Sequence, residues 1–383
     1  MASINASTSG PGGIITSGDT SGNLELQSGG SAIATVSSTG LSLASAKTLS
    51  VDGLNISPYA MKNRIINGGM DIAQRGNTFT STSSANNDDT YVLDRFYILS
   101  DGNDAIDVTQ TTTVPTGAKY SIGLDVETID KKFGIAQIIE NANCFDVIGG
   151  DVTVSFQAKV SSTTKLDNIK CAIVAWSGTE DTVTSDIISA WEAEGTNPTL
   201  IANATYENTP ANLNVTTSFA TYSVTATVDT ASTSNLILFI WSDVTDTTLG
   251  DFLYITNVQL EKGSTATPFE RRLYNQELAN CQRYFQTVAN GPSGASNLTT
   301  SCLFGFQFPV VMRTAPSSAV TGAIRVSDIS TSAFTQSSGT IANNLVTPDG
   351  GSFILGNFTG MTINRPILLA QSSTGTIQLS AEL

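Results

Sequence analysis

Histidine is absent from the chain. That removes the commonest general base and the commonest metal ligand together. A Ser-His-Asp triad, a Cys-His dyad and a histidine-ligated zinc site are therefore excluded, while a glycosidase working with two carboxylates survives. Charge is scarce as well: Lys and Arg number 18, and Asp and Glu 33, among 383 residues, for a formal net charge of −15. Nucleic-acid affinity comes largely from Lys and Arg displacing counterions, so no nucleic-acid partner is expected. No run of about 18 or more apolar residues occurs, so no membrane insertion is expected. The opening MASINASTSGPGG has no basic segment followed by an apolar core, and no signal peptide is expected. Cys144, Cys171, Cys281 and Cys302 are far apart with no CxxC pair, against zinc-ribbon and thioredoxin-like readings. They read as small buried hydrophobes; the alternative is a disulfide in an oxidising compartment.

What is present is β-like patterning. Residues 1–57 are rich in Gly and Ser, but Leu24/Leu26, Leu41/Leu43, Leu49/Val51 and Leu54/Ile56 are period-two pairs separated by glycines. They predict very short strands with tight turns. Strands that short bury little apolar area alone, so this segment either gains its core by association, with copies of itself or another protein, or is a flexible tether. Residues 62–265 predict a larger all-β domain. VTVSFQAKV (152–160) alternates, with Val152, Val154, Phe156, Ala158 and Val160 on one face and polar residues on the other. CAIVAW (171–176), TYSVTATV (221–228), NLILFIW (235–241) and FLYITNVQL (252–260) extend the set. Many strands with little helical spacing between them indicate a sandwich or jelly roll. Residues 266–290 then form a linker and helix: Tyr274, Leu278, Cys281 and Phe285 share a helical stripe, with Glu277 and Arg283 off it. Pro268 before the pattern and Gly291-Pro292 after it suggest a helix over roughly 271–287. Residues 291–383 predict a small C-terminal β domain.

Candidate chemistry is thin. SDGNDAID (100–107) gathers Asp101, Asn103, Asp104 and Asp107, oxygen ligands of the kind calcium takes. An EF-hand needs Gly sixth and Glu twelfth, where Ile106 and Thr112 stand, so a solvated loop with Asx-turns is the better reading. NNDDT (86–90) has the same ambiguity. Trp176 and Trp241 end apolar runs and read as core or rim residues rather than sugar platforms; the exposure of Trp191 is undecided. No catalytic constellation and no cofactor motif stands out.

QLEKGSTATPFERRLYNQELANCQRYF (259–285) resembles a segment of bacteriophage tail-fibre and virion-associated proteins, approximately QLE-x-G-x-x-ATPFE-x-R, then EL-x-x-CQRYF. Gln259, Leu260, Glu261, Gly263, Ala266, Thr267, Pro268, Phe269, Glu270, Arg272, Glu277, Leu278, Cys281, Gln282, Arg283, Tyr284 and Phe285 fit. NRIINGGMDIAQRG (63–76) is similar to the family's NGG-x-x-x-x-QRG, with Met70 where an aromatic is frequent. LDRFYI (93–98) resembles its DRW or DRF element, FPVVMRTAPS (308–317) its MR-x-x-P strand end, and the final AEL (381–383) a frequent ending. The resemblance implies an all-β structural virion protein: a jelly-roll sandwich of carbohydrate-binding-module type, a linking α-helix and a small C-terminal β domain, preceded by short strands forming an attachment or stem region. It implies no enzyme and no cofactor. It also implies a homotrimeric tail fibre or tail-associated protein, assembled in the host cytoplasm, that attaches to a host surface glycan. Residues 1–57 would engage other tail or capsid proteins. A capsid-decorating or head-fibre protein and a tailspike-like polysaccharide-degrading enzyme are the alternatives. The stripe Tyr274, Leu278, Cys281 and Phe285 is expected to pack against a domain face or a neighbouring subunit.

Overall fold

The computed structural model describes residues 4–6, 23–37, 40–44, 50–51, 54–55, 61–83, 85–288, 291–328, 333–336, 339–370 and 375–383. The chain divides into two compact units, Met1–Met61 and Lys62–Leu383.

In the first unit a four-stranded sheet runs in the order Ile4–Ala6, Leu24–Ser28, Ser31–Ser37, Gly40–Leu43. Gly29 and Gly30 turn the chain between the second and third strands at φ 61° and 80°, values that favour glycine. Register places Leu24 opposite Val36 and Val36 opposite Leu41, and Leu26 opposite Ala34 and Ala34 opposite Leu43. Directly paired residues share a face, so these six apolar side chains form one surface, with Glu25, Thr35 and Ser42 on the reverse. Its edge is open: Val36, Leu41 and Leu43 are 39%, 57% and 38% exposed. Ser50–Val51 pairs with Leu54–Asn55; Leu49 and Ile56, from the expected pairs, lie outside the described residues.

The second unit is built on an antiparallel jelly-roll sandwich. One sheet is ordered Ala220–Thr227, Asp151–Val160, Phe252–Lys262, Ser121–Val126, Ile106–Thr111, Thr78–Phe79; the other is Ala204–Tyr206, Ile169–Trp176, Asn235–Ser242, Phe133–Ile139, Tyr97–Ser100. The chain crosses repeatedly between the two sheets, with hairpins such as Ile106–Thr111 and Ser121–Val126 staying within one, and the apolar faces meet in a core that includes Val152, Val154, Phe156, Ala158 and Val160. On the polar side of that strand Thr153 and Ser155 are buried too, and Thr153 Oγ1 donates to Gly263 O (2.7 Å). Phe133–Ile139 and Asn235–Ser242 are buried along their whole length, which requires cover on both sheet faces. A long excursion between Trp176 and Ala204 provides it, laying Val183 and Ile187 over Ala136, Ile237 and Phe239. It is pinned by the fully buried Asp243, which takes the Lys132 and Lys170 ammonium groups and the Gly195 N–H (3.0 Å).

After the sandwich comes a helix over Tyr274–Gln282, shorter than the 271–287 expected. Leu273 is extended (φ −63°, ψ 144°), and from Phe285 the backbone is taken into a strand, Phe285–Val288, paired with Thr376–Ser380. Those ladder bonds replace the helical ones, so Phe285 is not on the helix. The C-terminal domain consists of that three-stranded sheet, completed by Ser317–Thr321, and a seven-stranded sheet running from Ala333–Thr335 to Ile341–Thr347, around Phe304, Phe353, Leu355, Ile377 and Leu379.

Candidate functional site

The segments that carry the resemblance, up to three hundred residues apart, meet at one place. Gly68 lies where an added Cβ would stand 2.0 Å from Val258 O, so only glycine passes this strand. The turn is held by Asn67, whose Oδ1 accepts from Ile72 N (2.9 Å) and whose Nδ2 donates to Asp94 O (3.0 Å). Asn67 N–H in turn donates to Glu277 of the helix. Gln74 donates to both Asp94 carboxylate oxygens (2.7 and 2.6 Å) and to Phe285 O (2.8 Å).

Glu382 receives Arg75 (3.0 Å) on one oxygen and Arg95 on the other. The Arg95 guanidinium also lies 3.6 Å above the Tyr284 ring, and that of Arg75 lies 3.6 Å above Phe285. Tyr284 Oη donates to Glu140 (2.6 Å), which Arg283 Nε also reaches (2.9 Å). Burial alone would raise the Glu140 pKa, but the hydrogen bonds from Arg283 and Tyr284 outweigh it and hold the carboxyl below its ordinary value. Arg313, of the MR-x-x-P element, donates to Ala381 O and Glu382 O (2.8 Å each). Tyr91 Oη donates to Leu383 O (2.8 Å).

A second knot joins QLE to ATPFE-x-R. Glu261 accepts from Gln259 Nε2 (2.8 Å), Thr267 N (2.8 Å) and Thr267 Oγ1 (2.6 Å). Glu270 accepts from Asn63 N (2.9 Å), and Arg272 bridges Ile65 O (3.0 Å) and Glu277 (3.1 Å). Together these form a clasp tying sandwich, helix and C-terminal domain. Its ion pairs hold Glu382 between Arg75 and Arg95, Glu140 against Arg283 and Glu277 against Arg272. Glu140, central to it, belongs to none of the quoted segments; only the topology brings it in.

Of the expected stripe, Tyr274, Leu278 and Cys281 lie on the helix and Phe285 opens the strand that follows it. Tyr274 is 57% exposed, Leu278 is half-buried, Cys281 is fully buried and Phe285 sits in the following strand against Arg75. The inward positions on the helix are Glu277 and Cys281. Glu277, expected off the stripe, faces inward, where Asn67 and Arg272 satisfy it. All four cysteines are buried and unpaired, with burial pushing the Cys144 and Cys302 thiols up to about 12.

Aromatic residues line the outer face of the five-stranded sheet but are roofed over. Trp241 is fully buried and stacked on Phe239 (4.4 Å, 8°); Trp191, half-buried, meets Phe239 edge-on (5.9 Å). Trp176 donates Nε1 to Thr179 O (3.1 Å), and Gly178 packs on its indole. In the acidic loop, Asn86 Nδ2 bridges Asp104 (2.7 Å) and Asp107 (3.0 Å). Among the described residues no group of three or more acidic or cysteine side chains converges as a metal site. Asp125 stands directly across the ladder from Asp107, and burial, then Glu127, Asp107 and Asp251, push it up to about 6. No helix among the described residues is long and apolar enough to cross a membrane.

No family model and no curated protein matches the chain. Among solved structures it is similar to the tailspike protein 4 enzymatically active domain of bacteriophage CBA120 (18% identity, TM-score 0.31), over 54% of this chain but only 22% of that one. A putative sugar binding protein from Bacteroides thetaiotaomicron is matched over 53% of this chain and 100% of its own (13%, TM-score 0.31). The CBM22-1 xylan-binding domain from Paenibacillus barcinonensis is matched over 45% and 87% (13%, TM-score 0.28).

Proposed function

We propose that the chain is a non-enzymatic structural protein of a bacteriophage particle, a homotrimeric tail fibre or tail-associated protein that attaches to a host surface glycan. The observation that carries this reading is the clasp. Segments that separately resemble one family of virion proteins are tied to one another by hydrogen bonds and ion pairs, so the resemblance describes a single structural unit rather than scattered short motifs. The trimer is supported by the first unit, whose four-stranded sheet carries an apolar face that, among the described residues, includes the well-exposed Val36, Leu41 and Leu43. Three copies closing on that face would present three binding sites on one stem, gaining avidity without any new contact.

The test is location and product. Gold-labelled antibody against the protein should decorate the tail of intact particles; decoration of the capsid would contradict the tail assignment and favour a head-fibre role. Host polysaccharide incubated with the protein should keep its length distribution. Shortened chains would overturn the non-enzymatic reading.

A further inference from the structure

A cleft of about 440 Å³ opens where the end of the helix and the strand Phe285–Val288 approach the strands Ser293–Ser296 and Cys302–Gln307. That volume lies within the range of small-molecule sites, about 300–1,000 Å³. Among the described residues no ionisable side chain lines it; Gln282, Gln286 and Gln307 bring three amides, Ser293 a hydroxyl and Phe306 an aromatic ring. Gln286 is 1% exposed: its Nε2 donates to Gln282 O (2.9 Å) and Val310 O (2.8 Å), while its Oε1 has no hydrogen-bond partner. A buried carbonyl oxygen left unmade is costly, and a ligand hydroxyl donating to it would recover that cost. Phe306 is half-buried and stacked on Phe353 (5.3 Å between centroids). Gly305 lines the cleft with open space beyond it, since an added Cβ would meet only Gly351 O, at 3.8 Å.

We propose that this cleft holds a short segment of an uncharged glycan. Amides both donate and accept, as sugar hydroxyls require, and an aromatic ring suits the apolar face of a pyranose. The absence of ionisable groups from the walls, in a chain of net charge −15, disfavours acidic polysaccharides. The inference rests on the attachment reading above and names the chemistry and the place of contact.

It is tested by binding the full chain to an immobilised panel of neutral and acidic bacterial polysaccharides. The intact protein should retain neutral polysaccharide. Gly305→Trp, which fills the cleft from an open position, should weaken retention by about tenfold or more, and Gln307→Ala, at an exposed position, should weaken it to a lesser extent. Both variants should unfold at the wild-type temperature; if Gly305→Trp does not fold, Gln307→Ala and Gln307→Glu carry the test. Undiminished retention by folded cleft variants overturns the cleft and leaves glycan attachment standing. Preference for acidic polysaccharide overturns the uncharged class, and no retention of any glycan by the wild type overturns cleft and attachment together.

Discussion

The two units solve the same physical problem differently. A β-sheet with an apolar face must cover it, and in residues 62–383 the two sandwich sheets are covered from within the chain: sheet on sheet in the core, and the 177–203 excursion over the outer face of the five-stranded sheet. The first unit has one four-stranded layer whose Leu24, Leu26, Ala34, Val36, Leu41 and Leu43 share a face, three of them well exposed. The difference separates roles. The second unit buries its sandwich core by its own contacts, whereas completion of the first by association is the proposal made above.

Four substitutions grade that contrast by their effect on unfolding of the second unit. Arg95→Ala should cost most, about 3–5 kcal/mol, because it leaves buried Glu382 without one of its two cations; urea unfolding measures it, and a loss below about 1 kcal/mol would mean the clasp is ornamental. Tyr284→Phe keeps the ring beneath Arg95 and removes the hydroxyl that donates to Glu140 and accepts from Asn143 Nδ2 (3.3 Å), for about 1.5–3 kcal/mol by the same measurement.

Asp125→Asn should change a pH profile more than a midpoint. The folded pKa of Asp125 is raised from 3.8 to about 6, so its stabilising contribution is full below about 4 and is lost as pH rises through 6. Asp89, pushed to about 7 by burial, Asp88 and Asp186, acts in the same direction. Glu140 acts oppositely: its contribution is present above 4.5 and lost as pH falls. Melting temperature should therefore decline from mildly acidic toward neutral pH, and Asp125→Asn should flatten part of that decline. An unchanged slope would refute the assignment. Leu41→Asp should have the smallest effect on the second unit, leaving its unfolding unaltered.

The strands that alternate cleanly were legible. Val152, Val154, Phe156, Ala158 and Val160 share a face as their spacing requires, and 252–260 is realised as Phe252–Lys262. Strands such as Phe133–Ile139 escaped notice because both of their faces are buried, which erases the polar half of the alternation. The helix spans Tyr274–Gln282, and Glu277 is buried on it beside Cys281 of the expected stripe. A carboxylate such as Glu277 counts as a surface residue until Asn67 and Arg272, some two hundred residues earlier and five residues earlier, are seen to satisfy it. The motifs could be quoted from sequence; that Glu382 joins Arg75 to Arg95 could not, because nothing local encodes a contact across nearly three hundred residues. The cleft was invisible for the same reason, and neutral amides carry no pattern that marks them in advance.

Sedimentation equilibrium of the full chain at micromolar concentration, wild type beside Leu41→Asp, tests the account most directly. The wild type should give the mass of three 40.0 kDa chains, and Leu41→Asp should shift toward one with the second unit still folded. A monomeric wild type, or a trimer indifferent to a charge placed on that face, would contradict it.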